Sequence, residues 1–166
     1  MELTDILPPD QWMAFEKQIN ERFGLNAAVC DIEGNRITSF NKWTNRLCPA
    51  VKSNKKGQSF ICAVAHMNLA KVAQQTREPV IEECDAGLLK IVVPIFSDET
   101  YLGVTGGCGR LMDNGETDIF LINKITGIDE TELEHLSQDI SGITRPEAEA
   151  VVEFIQKSID QILGGH

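Results

Sequence analysis

The 166-residue sequence predicts a single α+β domain, in which helices flank an antiparallel sheet. Apolar runs in the middle of the chain are separated by short turns, and such turns join antiparallel strands, whereas parallel neighbours need long crossovers. Apolar residues at helical spacing mark both ends of the chain. We expect a core over residues 8–112 and C-terminal helices over residues 116–163.

The N-terminal third is predicted to be a helix followed by a β-hairpin. Proline favours the first turn of a helix, so the helix begins near residues 8–10, and Gly24 ends it. A strand follows over residues 26–31. After a turn at residues 33–35, a second strand over residues 36–40 completes the hairpin.

An inserted helix and three further strands follow the hairpin. Residues 41–57 are polar and irregular, and residues 58–75 form a helix that Pro79 ends. Three apolar runs predict an antiparallel meander at residues 80–84, 88–96 and 101–108. Five antiparallel strands with a helix after the second are typical of PAS and GAF folds, which hold a small ligand between sheet and helix.

The C-terminal helix carries a stripe of apolar residues spaced alternately four and three apart. The stripe consists of Ala148, Val152, Ile155, Ile159 and Ile162. This spacing is that of a coiled-coil seam, which would make the helix an output element that forms a homodimer. The alternative is that the helix packs on its own sheet.

The charge of the chain excludes some partners. The formal net charge is −10, and phosphate would be repelled, so we expect no direct binding to nucleic acid. No apolar stretch has the length of a transmembrane helix, and no basic segment of a signal peptide precedes residue 10. We therefore expect a cytoplasmic protein with no membrane partner.

Four of the five cysteines fall at the ends of predicted elements. Cys48 precedes the inserted helix, Cys62 lies in its first turns, and Cys84 and Cys108 end strands. If these ends converge, four thiolates could hold a zinc ion or an iron–sulfur cluster. The alternative is that the cysteines are reduced, buried apolar residues; Cys30, in an apolar strand, is assigned to the core.

Further residues are candidates for ligand contacts. His66 lies four residues after Cys62 on the same helical face, as a spare ligand or a partner that lowers a thiol pKa. Glycines on both sides of Cys108 would leave space for a bulky group. The candidate ligand-binding set is Trp43, His66, Glu82, Asp85 and Gly107. His135 is predicted to be solvated, and His166 to be a disordered terminal residue.

The sequence does not indicate an enzyme. It contains no GxSxG or HExxH motif and no glycine loop that cradles phosphate. A Cys62–His66 pair could act as nucleophile and base, but it lacks an orienting third group.

Several short motifs resemble the PocR sensory domain, from the first helix to about Met112. They are Leu47-Cys48, Lys56-Gly57, Phe60-Ile61-Cys62, Glu83-Cys84-Asp85-Ala86-Gly87-Leu88, Val93-Pro94-Ile95, Tyr101-Leu102-Gly103-Val104 and Gly106-Gly107. The resemblance implies a PAS-like, ligand-binding module found in front of transcriptional regulators, histidine kinases and chemoreceptors. The namesake regulator responds to a small diol.

Two departures from the family pattern bear on the ligand. Asp85 stands where the family usually has histidine, and Cys108 where it usually has glutamine, whereas Cys48, Cys62 and Cys84 match family positions. Cys108 thus completes a set of four. The leading hypothesis is a sensor that holds an iron–sulfur cluster, since a cluster reports oxygen or redox state and zinc does not. The alternatives are a metal-free sensor of a diol or organic acid and a cysteine-dependent enzyme.

Overall fold

A computed structural model describes residues 1–165, so His166 and its expected disorder lie outside the described residues. The helices are α1 (Leu3–Ile6), α2 (Pro9–Phe23), α3 (Leu47–Ser53), α4 (Lys55–Gly57), a π-helix (Gln58–Cys62), α5 (Ala63–Thr76), α6 (Ile119–Thr126), α7 (Glu130–Leu136) and α8 (Arg145–Gly164). The strands are β1 (Asn26–Cys30), β2 (Val80–Glu83), β3 (Leu89–Ser97), β4 (Thr100–Cys108), β5 (Leu111–Met112) and β6 (Gly142–Ile143).

The main sheet is antiparallel throughout, with the strand order β1-β4-β3-β2. A separate pair, β5 and β6, is parallel. The α+β class is confirmed. The meander lies within about one residue of its predicted bounds, because the turns that separate its strands are encoded locally.

The sheet formed by the described residues has four strands where the sequence predicted five. Residues 36–40 do not form a strand. They contact β1 through one bridge, between Cys30 and Arg36, and through a hydrogen bond of 3.1 Å from the Ile37 N–H to the Val29 carbonyl.

Side chains bind the free edge of β1 in place of the missing strand. The Val29 N–H donates to Glu16 Oε2 of α2 at 3.0 Å, and Arg36 Nη2 donates to the Ala27 carbonyl at 2.9 Å. Glu16 is fully buried, lies 3.5 Å from Arg36 Nη2 and accepts a hydrogen bond from the Thr38 hydroxyl. Because these side chains satisfy the edge, residues 36–40 need not pair as a strand. Burial raises the pKa of Glu16, and Thr38 and Arg36 oppose that rise.

The segment predicted to be irregular, residues 41–57, contains α3 and α4. The π-helix follows α4 and leads directly into α5, so the inserted helix changes its winding at Gln58–Cys62. Such π turns are frequent at functional sites. Here the turn ends on Cys62.

The two faces of the main sheet have different partners. Alpha-helices α1, α2 and α8 pack on one face and form the largest core cluster, whereas α5 packs on the other face. In α8, Ala148, Ile155 and Ile159 are buried within the chain, and Val152 and Ile162 pack against the same core. The apolar stripe of α8 therefore packs against the chain's own sheet. A homodimer through α8 stays a prediction. None of the helices formed by residues 1–165 combines the length and apolarity needed to cross a membrane.

Replacing Glu16 tests the bonding of the β1 edge. In Glu16→Ala, the Val29 N–H and Arg36 lose a buried acceptor, so we expect the free energy of unfolding to fall by about 3 kcal/mol. The control is Glu21→Ala, an exposed carboxylate on the same helix, with an expected change of about 0.5 kcal/mol or less. Urea unfolding measures both. Equal losses in the two variants would contradict this account of the edge.

Candidate functional site

A cavity of about 480 Å³ lies between the main sheet and the inserted helical segment. Its floor includes Ala28, Val92 and Gly106, which are aligned across β1, β3 and β4. A Cβ atom on Gly106 would lie 1.9 Å from the Ile91 carbonyl oxygen, so only glycine fits there. The floor therefore carries little side-chain volume at Ala28 and Gly106.

The four cysteines singled out from the sequence line this one cavity. They arrive from four segments: Cys48 from the first turn of α3, Cys62 from the end of the π-helix, Cys84 from just after β2, and Cys108 from the end of β4. The charges of neighbouring thiols contribute to a raised pKa at Cys48, Cys62 and Cys84. We call this part of the cavity the thiol end.

Backbone hydrogen bonds fix two of the cysteines. Asn45, which is 7 % exposed, accepts from the Cys48 N–H at 2.7 Å and donates to the Gly109 carbonyl at 2.7 Å and to Cys48 Sγ at 3.3 Å. The Cys84 N–H donates to the Leu88 carbonyl at 2.8 Å across a tight turn. Asn45 thus joins α3 to the end of β4.

Burial in the cavity favours the protonated form of three thiols, those of Cys48, Cys62 and Cys84. Burial, with a contribution from Cys108, raises the pKa of Cys48 to about 12 and that of Cys62 to about 11. Burial also raises the pKa of Cys84. The charges of Lys52 and Lys90 oppose the rise at Cys62. A bound soft metal would displace these protons, because metals bind the thiolate.

No three His, Cys, Asp or Glu side chains of residues 1–165 are grouped closely enough to hold one metal ion. A single tetrahedral zinc ion, with Zn–S bonds of about 2.3 Å, would require the thiols to move closer together.

The other end of the cavity is lined by Arg36 and His66, with Cys30 beside Arg36. Arg36 Nε and His66 Nε2 are buried and lack a hydrogen-bond partner within the described part of the chain. Burial, together with the charges of Lys90 and Lys52, lowers the pKa of His66 to about 4. His66 is therefore a neutral imidazole at pH 7.

Comparison with known families identifies the family of this chain. The model of the sensory domain found in PocR matches residues 5–165. The chain belongs to the PocR sensory-domain family. The match continues past Met112, where the motif resemblance was expected to end, and includes the C-terminal helices. Neither the curated proteins nor the solved structures give a significant match.

Two of the four predicted ligand-binding side chains line the cavity of this PocR domain, and two do not. Trp43 and His66 line the cavity, and Lys52 Nζ lies 5.9 Å from the centre of the Trp43 ring. Glu82 and Asp85 are exposed and do not line it. Glu82 belongs to β2 at the edge of the sheet, and Asp85 belongs to the turn that follows, so both lie beyond the cavity wall.

The glycines around Cys108 do not leave the expected space for a ligand. Gly107 lines the cavity only with its backbone: a Cβ there would lie 2.8 Å from Leu25 Cβ, on the core side of the sheet. At Gly109, whose φ is +103°, a Cβ would lie 2.6 Å from Asn26 Nδ2. Protein atoms already occupy both positions.

Sequence reasoning missed three residues of this site. Lys90 was detectable as the one charge within the apolar run at residues 88–96. Asn45 stands three residues before Cys48, a spacing typical of a helix cap, but the segment was predicted to be irregular. Arg36 gave no signal, since it was assigned to a strand. Cys30 is buried beside Ala73 as expected, and it also lines the cavity.

Titration of His66 tests the burial of this end. The pKa of an unfolded histidine is near 6.5, and that of folded His66 is about 4. The neutral imidazole therefore contributes its full stability above pH 6.5. This contribution is lost as the pH falls towards 4, because the unfolded state then binds the proton more readily. We expect His66→Gln to flatten the pH dependence of unfolding in this window, measured by urea unfolding. An imidazole proton resonance of His66 that titrates near pH 6.5 would refute the prediction.

Proposed function

We propose that this sensory domain holds an iron–sulfur cluster through Cys48, Cys62, Cys84 and Cys108 and reports redox state or oxygen. The carrying observation is that four cysteines, from segments far apart in the sequence, line the same cavity. Four cysteine thiolates are the usual ligand set of [2Fe–2S] and [4Fe–4S] clusters.

The charges near the thiols support this proposal. A cluster held by four thiolates carries net negative charge, which would be costly in a buried site without compensation. Lys90 is the β3 residue paired with Cys108, and it lines the cavity together with Lys52. Their positive charge opposes the rise that burial causes in the pKa of Cys62. The donor set and its surroundings therefore suit an anionic metal centre.

Contacts across the sheet offer a route from the cavity to α2. Arg36 lines the cavity, and its guanidinium lies 3.5 Å from Glu16 of α2 on the other face. Helix α2 packs against α8, where the Phe23 and Phe154 rings lie 5.4 Å apart. A change of cavity occupant that moves Arg36 would thus favour one of two packings of the outer helices.

Anaerobic reconstitution with iron and sulfide tests the cluster. We expect the wild-type chain to develop a broad visible absorption band and to retain iron and acid-labile sulfide after desalting. Cys108→Ser should lose most of the retained iron, because it removes one ligand.

The matched control is Cys30→Ala, which removes the fifth cysteine without changing the thiol end. It should retain iron like the wild type. A wild-type chain that stays colourless and iron-free would refute the cluster, and equal iron loss in Cys30→Ala and Cys108→Ser would refute the ligand set.

The size of the cavity favours a second candidate, a metal-free sensor of a small molecule. At about 480 Å³ the cavity falls within the range of ordinary ligand sites, and its walls are mainly apolar with a few polar groups. In this case the cysteines are neutral walls of the pocket.

A thermal-shift screen of the metal-free protein with 1,2-propanediol and short organic acids tests this candidate. We expect a binding compound to raise the melting temperature of the wild type and of Cys84→Ser/Cys108→Ser by a similar amount, since only the folded state binds it. If no compound raises either melting temperature, the candidate fails.

A further inference from the structure

The end of the cavity formed by Arg36 and His66 extends away from Cys108, although His66 follows Cys62 by one helical turn. Arg36 forms a bridge with Cys30, and Cys30 pairs with Val104, four residues before Cys108 in β4. At about 3.4 Å per residue, the backbone position bridged to Arg36 lies roughly 14 Å from Cys108 along the strand. A group bound at Arg36 therefore does not need Cys108.

Two buried nitrogen atoms at this end lack a partner. Within residues 1–165, three buried side-chain atoms make no hydrogen bond, and two of them are Arg36 Nε and His66 Nε2. Arg36 Nη2, in contrast, donates to the carbonyls of Ala27 and Phe40. Buried polar groups are nearly always hydrogen-bonded, so two unpartnered nitrogens on residues that line one cavity indicate a site for an acceptor.

The charge of the cavity lining has the opposite sign to that of the chain. The lining includes Arg36, Lys52 and Lys90 but only one carboxylate, Glu33, although the chain has a formal net charge of −10. Neither lysine forms an ion pair with another residue in the described range. Glu16 lies behind Arg36 and compensates only that cation. The cavity therefore favours an anion over a neutral or cationic ligand.

We propose that the cavity binds a small aliphatic carboxylate, whose oxygens accept hydrogen bonds from Arg36 Nε and His66 Nε2. The apolar part of the ligand lies against Ala28, Val92 and Val104, which line the floor at this end. A carboxylate has only acceptor oxygens, and its hydrogen bonds to a charged donor are about twice as strong as neutral ones.

This inference names the ligand class of the metal-free candidate function and uses none of the four thiols of the proposed cluster. Loss of iron binding would therefore leave it untouched. Conversely, absence of carboxylate binding would leave the iron experiment unchanged.

Isothermal titration calorimetry with propionate and butyrate tests the ligand class, with propionamide and 1,2-propanediol as neutral comparisons. We expect the carboxylates to bind and the neutral compounds to bind at least about tenfold more weakly, because they lack the charge that Lys90 and Arg36 attract. Equal binding of propionate and propionamide would refute the proposal that the cavity selects an anion. Absence of binding by all four compounds would overturn the proposal as well.

Two variants locate the carboxylate. His66→Phe keeps an aromatic ring but removes Nε2, and should weaken propionate binding by about tenfold. Lys90→Met removes one cavity charge and should weaken it by about threefold, whereas Lys55→Met removes an exposed charge on α4 outside the cavity and should have no effect. If His66→Phe does not fold, the two lysine variants still test the proposal. Equal affinities of Lys90→Met and Lys55→Met for propionate would refute the role of the cavity's positive charge.

Discussion

The buried carboxylate of Glu16 holds together the parts on which the rest of the domain depends. It accepts from the Val29 N–H at the sheet edge and lies against Arg36, which itself binds the β1 backbone and borders the cavity. Burying a charge is costly unless it is paired and hydrogen-bonded, so this arrangement also determines where the chain after β1 runs. The edge strand, α2 and one wall of the cavity are fixed by the same contacts.

The two faces of the sheet differ in what lies against them. One face is a conventional core under α1, α2 and α8, and the other carries a cavity in which small floor residues leave space. Within that cavity the two ends differ in chemistry. The thiol end offers four sulfur atoms, and burial raises the pKa of three of them, Cys48, Cys62 and Cys84. The other end offers the unpartnered nitrogens of Arg36 and His66. Lys90 lines the cavity and adds positive charge. In this domain Arg36 connects the cavity to α2 through its ion pair with Glu16.

Much of the fold was predictable because its signals are local. The helix ending at Gly24, the meander β2–β4 and the C-terminal helix all follow from periodicity, turn residues and caps, which act within a few residues. Family membership was also accessible from short motifs around Cys84. For the same reason the sequence could place Cys48 and Cys108 at element ends, which is where residues from different segments can meet.

The sequence by itself therefore determined the α+β class, the family and the element ends that carry the cysteines. Only the tertiary structure decided that residues 36–40 do not join the sheet, because the competing acceptor, Glu16, comes from a distant helix. It also decided that Glu82 and Asp85 lie outside the cavity and that Arg36 lines it. The physical reason is common to these cases: which groups share a buried space depends on contacts between segments far apart in the chain, and no local pattern encodes them.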